Sequence, residues 1–123
     1  MSDILTPEDL ENFLNKIRNS TEQFNINFAN VGDYDKQKGD YEHLIEFEKN
    51  YDERNKITTK YHRMLNNRRY SKDMVVKCED VMSFAESNKQ FINKLEQLLG
   101  SMRKKEEWLE NRTYRKRYEN SEG

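Results

Sequence analysis

The chain has 123 residues, of which 37% are charged, and its formal net charge is −1. This length predicts a single domain. Leu, Ile, Val and Phe together account for about one fifth of the chain, which is near the level below which chains do not fold on their own. Such a composition favours long amphipathic helices with a narrow apolar stripe, and no apolar run is long enough for a membrane span. We therefore expect a homo-oligomer that completes its core with partner helices and does not bind a membrane.

A short amphipathic helix is predicted over residues 7–24. Thr6 supplies a capping hydroxyl, and Pro7 occupies the first helical position. Two acidic residues follow at the positive end of the helix dipole, and apolar residues then recur at helical spacing. The next segment, residues 25–39, contains two glycines and several Asn and Asp residues, which predicts a linker.

A second long helix is predicted to begin at Asp40, a good N-cap residue, and to end near Asn67. The polar segment 66–71 then interrupts the pattern and predicts the turn of an antiparallel helical hairpin over residues 40–118. The apolar positions of the second helix form the first of two predicted assembly seams, which contains Leu44, Phe47, Tyr51, Tyr61 and Leu65.

The third helix, predicted from Ser71 to about Tyr118, carries the most regular pattern in the chain. From Met74 onwards, mainly apolar positions recur at alternating steps of 4 and 3 residues, as in a coiled coil. This second predicted seam contains Met74, Cys78, Val81, Ala85, Asn88, Ile92, Leu95, Leu99, Met102, Glu106 and Leu109. We expect the amide of Asn88 to fix the register between paired helices. The sequence thus predicts an all-α fold, a long helical hairpin or coiled-coil-like bundle with a short N-terminal helix and a frayed tail over residues 119–123.

The residue patterns of known enzyme sites are not found in this sequence. The two histidines, His43 and His62, lie about five turns apart on one predicted helix and cannot share a metal ion. Cys78 is the only cysteine, so it forms no internal disulfide, and a thiol on an apolar seam is inert. We predict a protein without catalytic residues, metal, cofactor or small-molecule substrate, located in a reducing compartment such as the cytoplasm.

Basic residues interleaved with aromatic residues are the most informative pattern for function. Lys56, Lys60 and Arg63 are spaced to form one stripe on a helix, and further cations surround Trp108 on the last helix. Single-stranded nucleic acid is commonly bound this way, with cations on phosphates and flat rings stacked on bases. The candidate nucleic-acid-binding residues are Lys56, Lys60, Arg63, Arg68, Arg69, Lys72, Arg103, Lys104, Lys105, Trp108, Arg112 and Arg115.

The charge distribution leaves alternatives open. Residues 1–50 carry 11 acidic and 5 basic side chains, a net charge of −6, whereas the remaining residues carry a net charge of +5. The basic half either contacts nucleic acid or pairs with an acidic protein surface, including the acidic half of a neighbouring copy. An alternative function is a protein–protein adaptor or inhibitor, for example a phage-encoded one, whose charges serve specificity. The cations can also be solvated helix faces supported by pairs such as Arg103–Glu107.

The order of these residues over roughly residues 41–120 resembles the UvsY family, the small recombination mediators of T-even-like phages. The resemblance is carried by the basic, aromatic helix around Tyr51 to Tyr70 and by the closing run Leu95, Glu96, Leu99, Ser101, Arg103, Trp108, Leu109, Asn111, Tyr114, Arg115 and Tyr118. It implies a helical, ring-forming protein that binds single-stranded DNA and helps to load a recombinase. It also implies that Lys60, Arg63, Arg68 and Arg69 match the DNA-contacting segment. The glycine-containing aromatic turn expected after that segment is missing here, and the final helical region is shorter.

Overall fold

The computed structural model describes residues 3–113. Within this range the chain forms three α-helices and no strand: α1 (Pro7–Phe47), α2 (Tyr51–Ser87) and α3 (Lys89–Glu110). The predicted all-α class is confirmed. The described residues divide into two compact units, one made of residues 15–89 and the other of residues 3–14 together with 90–113.

The start of α1 is capped as the sequence predicts. The backbone N–H of Asp9 donates a hydrogen bond to Thr6 Oγ1 over 3.1 Å, and the N–H of Thr6 donates to Asp9 Oδ2 over 3.2 Å. This reciprocal pair satisfies two backbone donors that the first turn of a helix leaves free. Pro7 then occupies the first helical position, where the missing N–H costs nothing.

The linker predicted over residues 25–39 is helical instead, and α1 is one helix of 41 residues. The reason is visible in the burial pattern, where Asn27, Val31, Tyr34, Lys38 and Tyr41 are less exposed than most of their neighbours. Their spacing of 4, 3, 4 and 3 residues continues one inward-facing stripe through the glycine- and asparagine-rich region. Packing of this stripe outweighs a helix penalty of about 1 kcal/mol at each glycine.

The predicted turn over residues 66–71 is also wrong, because those residues lie in the middle of α2. The chain turns instead at residues 48–50. Asn50 has extended backbone angles (φ −79°, ψ 125°), and its Oδ1 accepts a hydrogen bond of 3.0 Å from the N–H of Glu53. The first predicted seam is therefore divided between two helices, and Leu44, Phe47 and Tyr51 are exposed around the turn.

Helix α2 runs antiparallel to residues 15–47 of α1 and pairs with them along most of its length. Tyr61 contacts Glu42, and Arg68 contacts Asp35, so partners move down α1 as they move along α2. One stripe of less exposed positions in α2 consists of 57, 61, 64, 68, 71, 75 and 78, which again alternate steps of 4 and 3 residues. These positions of α2 and the stripe of Asn27, Val31, Tyr34, Lys38 and Tyr41 in α1 are called the inward positions below.

The single helix predicted from Ser71 to Tyr118 is divided at Asn88, which ends α2 with φ −126° and ψ 37°. The Asn88 amide forms its hydrogen bond within its own helix. Its Nδ2 donates a hydrogen bond of 2.9 Å to the carbonyl of Phe84 in the last turn of α2. In α3 the seam positions Ile92, Leu95, Leu99 and Met102 are half-buried, whereas Glu106 and Leu109 are exposed. The part of the prediction beyond residue 113 lies outside the described residues.

The buried apolar core is small. Among the described residues it consists of Leu10, Leu14, Ile17, Met64 and Cys78, while the polar side chains Asn27 and Ser71 are also buried. Fifteen large apolar side chains in the same range are exposed. Exposed apolar surface of this extent is typical of proteins that bind partner surfaces.

Candidate nucleic-acid and assembly surfaces

Two grooves run between α1 and α2 in the unit formed by residues 15–89. Polar lining residues of the first groove, such as Gln37, Lys60 and Arg63, each precede an inward position by one residue. Lining residues of the second groove, such as Phe28 and Val76, each follow an inward position by one residue. One residue rotates the side-chain direction by about 100° around an α-helix. The two grooves therefore lie on opposite faces of the hairpin.

The first groove, which we name the basic groove, combines two cations with two tyrosines and two amides. Its volume is about 330 Å³. It continues toward the hairpin turn past Asp40, Leu44 and Ile57. The residues that line the basic groove are Tyr34, Gln37, Tyr41, Lys60, Arg63, Met64 and Asn67.

The cations of the basic groove have no acidic partner in the part of the chain that the structure describes. Within residues 3–113, neither Lys60 nor Arg63 forms an ion pair or a side-chain hydrogen bond. Lys56 lies one turn before Lys60, and its Nζ is 3.4 Å from Glu53 Oε1; both side chains are exposed. An exposed pair of this kind contributes little and yields easily to a better anion. This face of the hairpin is therefore open to an anionic ligand.

Tyr61 of α2, next to Lys60, contacts α1 beside this groove. Its hydroxyl donates a hydrogen bond of 3.0 Å to Glu42, and its ring lies 6.0 Å from that of Tyr41 at a tilt of 54°. The pKa of the Tyr61 phenol is raised above the ordinary value, first because packing removes water from it and then because it bonds to the negative Glu42, while Arg68 acts in the opposite direction. Tyr61 therefore remains a neutral donor at physiological pH.

The second groove, which we name the apolar groove, has a volume of about 660 Å³. Valine and phenylalanine side chains dominate it, and Gly32 lies among them without a side chain of its own. Two basic and two acidic residues complete its lining, so its charges balance. The residues that line the apolar groove are Phe28, Val31, Gly32, Asp35, Arg69, Lys72, Asp73, Val75 and Val76.

The structure does not bring the predicted nucleic-acid-binding residues of α2 onto one surface. Lys60 and Arg63 line the basic groove, whereas Arg69 and Lys72 line the apolar groove on the opposite face, and Lys56 lines neither groove. Arg68 occupies an inward position between the faces, and its Nε donates a hydrogen bond of 2.7 Å to Asp35. This guanidinium is half-buried in an ion pair and is not free for phosphate.

The predicted residues of α3 belong to the other compact unit. Arg103 forms an ion pair with Glu11 and not with Glu107. The Arg112 guanidinium lies 5.9 Å from the centre of the Trp108 ring, which is 65% exposed. Lys104 and Lys105 are exposed, and Arg115 lies outside the described residues.

Sequence reasoning missed the aromatic residues that α1 contributes to the two grooves. Tyr34, Tyr41 and Phe28 fall in or next to the predicted linker, so the sequence pattern does not pair their rings with the cations of α2. A signal for them exists in the sequence. The spacing of Phe24, Val31, Tyr34 and Tyr41 already follows a coiled-coil stripe across the two glycines.

Within residues 3–113, no group of three or more His, Cys, Asp or Glu side chains is placed to hold a metal ion. The described helices include none with the length and apolar character that crossing a membrane requires. No protein-family model, curated protein or solved structure matches this chain.

Proposed function

We propose that this chain is a non-catalytic helical assembly protein that self-associates and binds single-stranded nucleic acid through the basic groove. The observation that carries the proposal is the pair of cations, Lys60 and Arg63, which have no acidic partner among residues 3–113 and line the same groove as Tyr34 and Tyr41. The single cysteine, Cys78, is buried as a free thiol, which supports a reducing compartment and hence a cytoplasmic location.

The groove offers both interactions that single strands need. Lys60 and Arg63 lie one turn apart on α2, so they can contact neighbouring phosphates along a strand that follows the helix. The rings of Tyr34 and Tyr41 lie in the same groove at half-buried positions and offer surfaces for base stacking. The amides of Gln37 and Asn67 supply donors and acceptors. Because stacking and phosphate contacts tolerate any base, we expect binding with little sequence preference.

The test is a fluorescence-anisotropy titration with a labelled unstructured single-stranded oligonucleotide at two salt concentrations, with a duplex of the same length beside it. The double variant Lys60→Ala/Arg63→Ala should weaken binding. It should also reduce the magnitude of the slope of log K against log salt by about 1.4, which corresponds to two lost phosphate contacts on a single strand. Affinity that is unchanged in this variant would refute the basic groove as the site.

A matched control separates a local contact from the effect of net charge. Lys16 and Lys36 are exposed residues of α1 that form no ion pair among the described residues and line neither groove. Lys16→Ala/Lys36→Ala removes the same two charges as the groove variant. We expect this control to bind like the wild type, with the same salt dependence.

A second candidate function, a protein–protein adaptor, is favoured by two other observations. Arg68 and Arg103, both counted among the nucleic-acid candidates, are engaged in ion pairs with Asp35 and Glu11. The described residues also expose many large apolar side chains, which is typical of surfaces that bind proteins. No binding of the oligonucleotide at low salt would leave this candidate. The resemblance to the UvsY-type mediators belongs to the nucleic-acid proposal, and recombinase stimulation on single strands would test it further.

A further inference from the structure

The apolar groove exposes aromatic and aliphatic side chains that a solitary hairpin has no reason to hold in water. Phe28 is 64% exposed and Val76 is 70% exposed. The Phe28 ring stacks on Phe24 with 5.8 Å between centroids, so it is held in position over the groove. Val31 and Val75 lie half-buried on the floor of the groove. Burial of such a surface by a partner is favourable in proportion to the apolar area that leaves water.

The rim of the groove carries charges of both signs that are mostly unpaired. Arg69, Lys72 and Asp73 form no ion pair with any residue between 3 and 113, whereas Asp35 accepts the bond from Arg68. Arg69 and Asp73 are one helical turn apart, yet they do not pair with each other. A cation placed N-terminal to its acid on a helix is the weaker orientation for such a pair. Both groups are thus available to a partner.

We propose that a second copy of this chain covers the apolar groove, as a twofold symmetric dimer in which α2 lies antiparallel to the α2 of the other copy. This proposal deepens the self-association in the proposed function and names its surface. Ser71 is midway between Arg69 and Asp73, so a twofold axis near Ser71 brings each arginine opposite the acid of the other copy. The exposed Phe28 and Val76 side chains of both copies then lie inside a four-helix arrangement.

The charge pattern favours a second copy over other occupants. A strand of nucleic acid laid in this groove would meet Asp35 and Asp73 as well as the two cations, and the groove would offer it no net attraction. A surface that carries both signs on one helix is complementary to itself, because a twofold rotation places each sign against its opposite.

Gly32 provides a variant that tests this groove without disturbing the hairpin. A Cβ added at Gly32 would meet nothing within 4 Å in the chain itself, and Gly100 on α3 has the same open surroundings. A side chain at either position raises helix propensity. Gly32→Leu places a branched side chain in the groove, whereas Gly100→Leu adds the same atoms elsewhere.

The first experiment measures the mass by sedimentation equilibrium from about 1 to 100 µM, a range that resolves micromolar dimers, with circular dichroism as a check on helix content. We expect the wild type and Gly100→Leu to dimerise equally and Gly32→Leu to dimerise at least tenfold more weakly while keeping its helices. Equal dimerisation of all three proteins would overturn the groove as the interface.

The second experiment tests the orientation by charge reversal. Arg69→Asp and Asp73→Arg should each weaken the dimer about tenfold, because each places like charges opposite one another. The double variant Arg69→Asp/Asp73→Arg restores opposite charges across the twofold axis and should regain the wild-type affinity. A double variant as weak as the single ones would contradict the twofold arrangement.

The outcomes separate this inference from the proposed function. A wild type that stays monomeric up to the highest concentration contradicts self-association itself and with it the dimer. If the wild type forms an oligomer and neither set of variants weakens its association, only the assignment of the interface to the apolar groove is contradicted. The oligonucleotide titration depends on Lys60 and Arg63 on the opposite face, so it succeeds or fails independently of the groove variants.

Discussion

Asn27 is a buried amide at an inward position of α1, and only 4% of its surface is exposed. Its Nδ2 donates hydrogen bonds of 2.8 and 3.2 Å to the carbonyl and to the side chain of Gln23, both on its own helix. The amide therefore satisfies itself locally and forms no hydrogen bond to α2. Burial of the Asn27 amide removes a polar group from water without forming a hydrogen bond between the helices.

This arrangement predicts that Asn27→Leu stabilises the hairpin. Leucine has the same branched arrangement of four side-chain heavy atoms as asparagine and would add apolar burial at an inward position, while the exposed Gln23 can bond to water instead. We expect the free energy of unfolding to rise by about 1 kcal/mol. Urea unfolding followed by circular dichroism measures this, with Asn25→Leu at an exposed position as the control, for which we expect a change below about 0.5 kcal/mol. A lower urea midpoint for Asn27→Leu would show that the amide supports the fold.

At the scale of the helices, the stripe spacing was sufficient to predict the all-α class but not where helices end. Residues 25–39 and 66–71 have loop-like compositions, yet both keep their inward positions packed and remain helical. Conversely, Asn88 fits the stripe and still ends a helix. Helix continuity depends on which helix packs against which stripe, and local composition does not contain that information. The basic groove was half predicted for the same reason, since its cations are on α2 and its tyrosines are on α1.

The corrected turn can be tested with two proline substitutions. Tyr51 is the first residue of α2, and the extended angles of Asn50 before it (φ −79°, ψ 125°) are those that a residue preceding proline prefers. Asn67 lies in the interior of α2, where proline removes a backbone hydrogen bond and clashes with the preceding turn. Tyr51→Pro should therefore change stability by less than about 1 kcal/mol, whereas Asn67→Pro should cost about 3 kcal/mol or more.

Thermal unfolding and helix content by circular dichroism measure both proline variants. Both add the same ring to an exposed position, so the comparison isolates the effect of helix position. If the chain turned at residues 66–71, as the sequence pattern predicts, Asn67→Pro would be tolerated because it would fall between helices. That result would contradict a continuous α2.

At the scale of the whole chain, acidic residues of the first half contact residues of the more basic second half within the same molecule. The acidic first half contributes Asp35, Glu42 and Glu11, which contact Arg68, Tyr61 and Arg103 of the second half. These contacts are on the surface, where an ion pair contributes about 0–1 kcal/mol. They select which helix faces meet, while the small apolar core supplies the larger part of the stability.

The two compact units predict two regions that open separately. In the unit of residues 3–14 and 90–113, the buried apolar residues are Leu10 and Leu14, because α3 contributes none of its own. Leu10→Ala should cost about 2–5 kcal/mol and act mainly on this unit. Hydrogen exchange measured by mass spectrometry should show faster exchange in α3, with α2 nearly unchanged.

Met64→Ala provides the matched comparison, because Met64 is a similarly buried apolar residue in the unit of residues 15–89. Its loss should accelerate exchange in α2 and the adjoining part of α1 more than in α3. The contrast between the two variants is the decisive quantity, since each removes a side chain of nearly the same size from a buried position. If both truncations raised exchange equally along all three helices, the chain would open as one cooperative whole and the division into two units would have no energetic meaning.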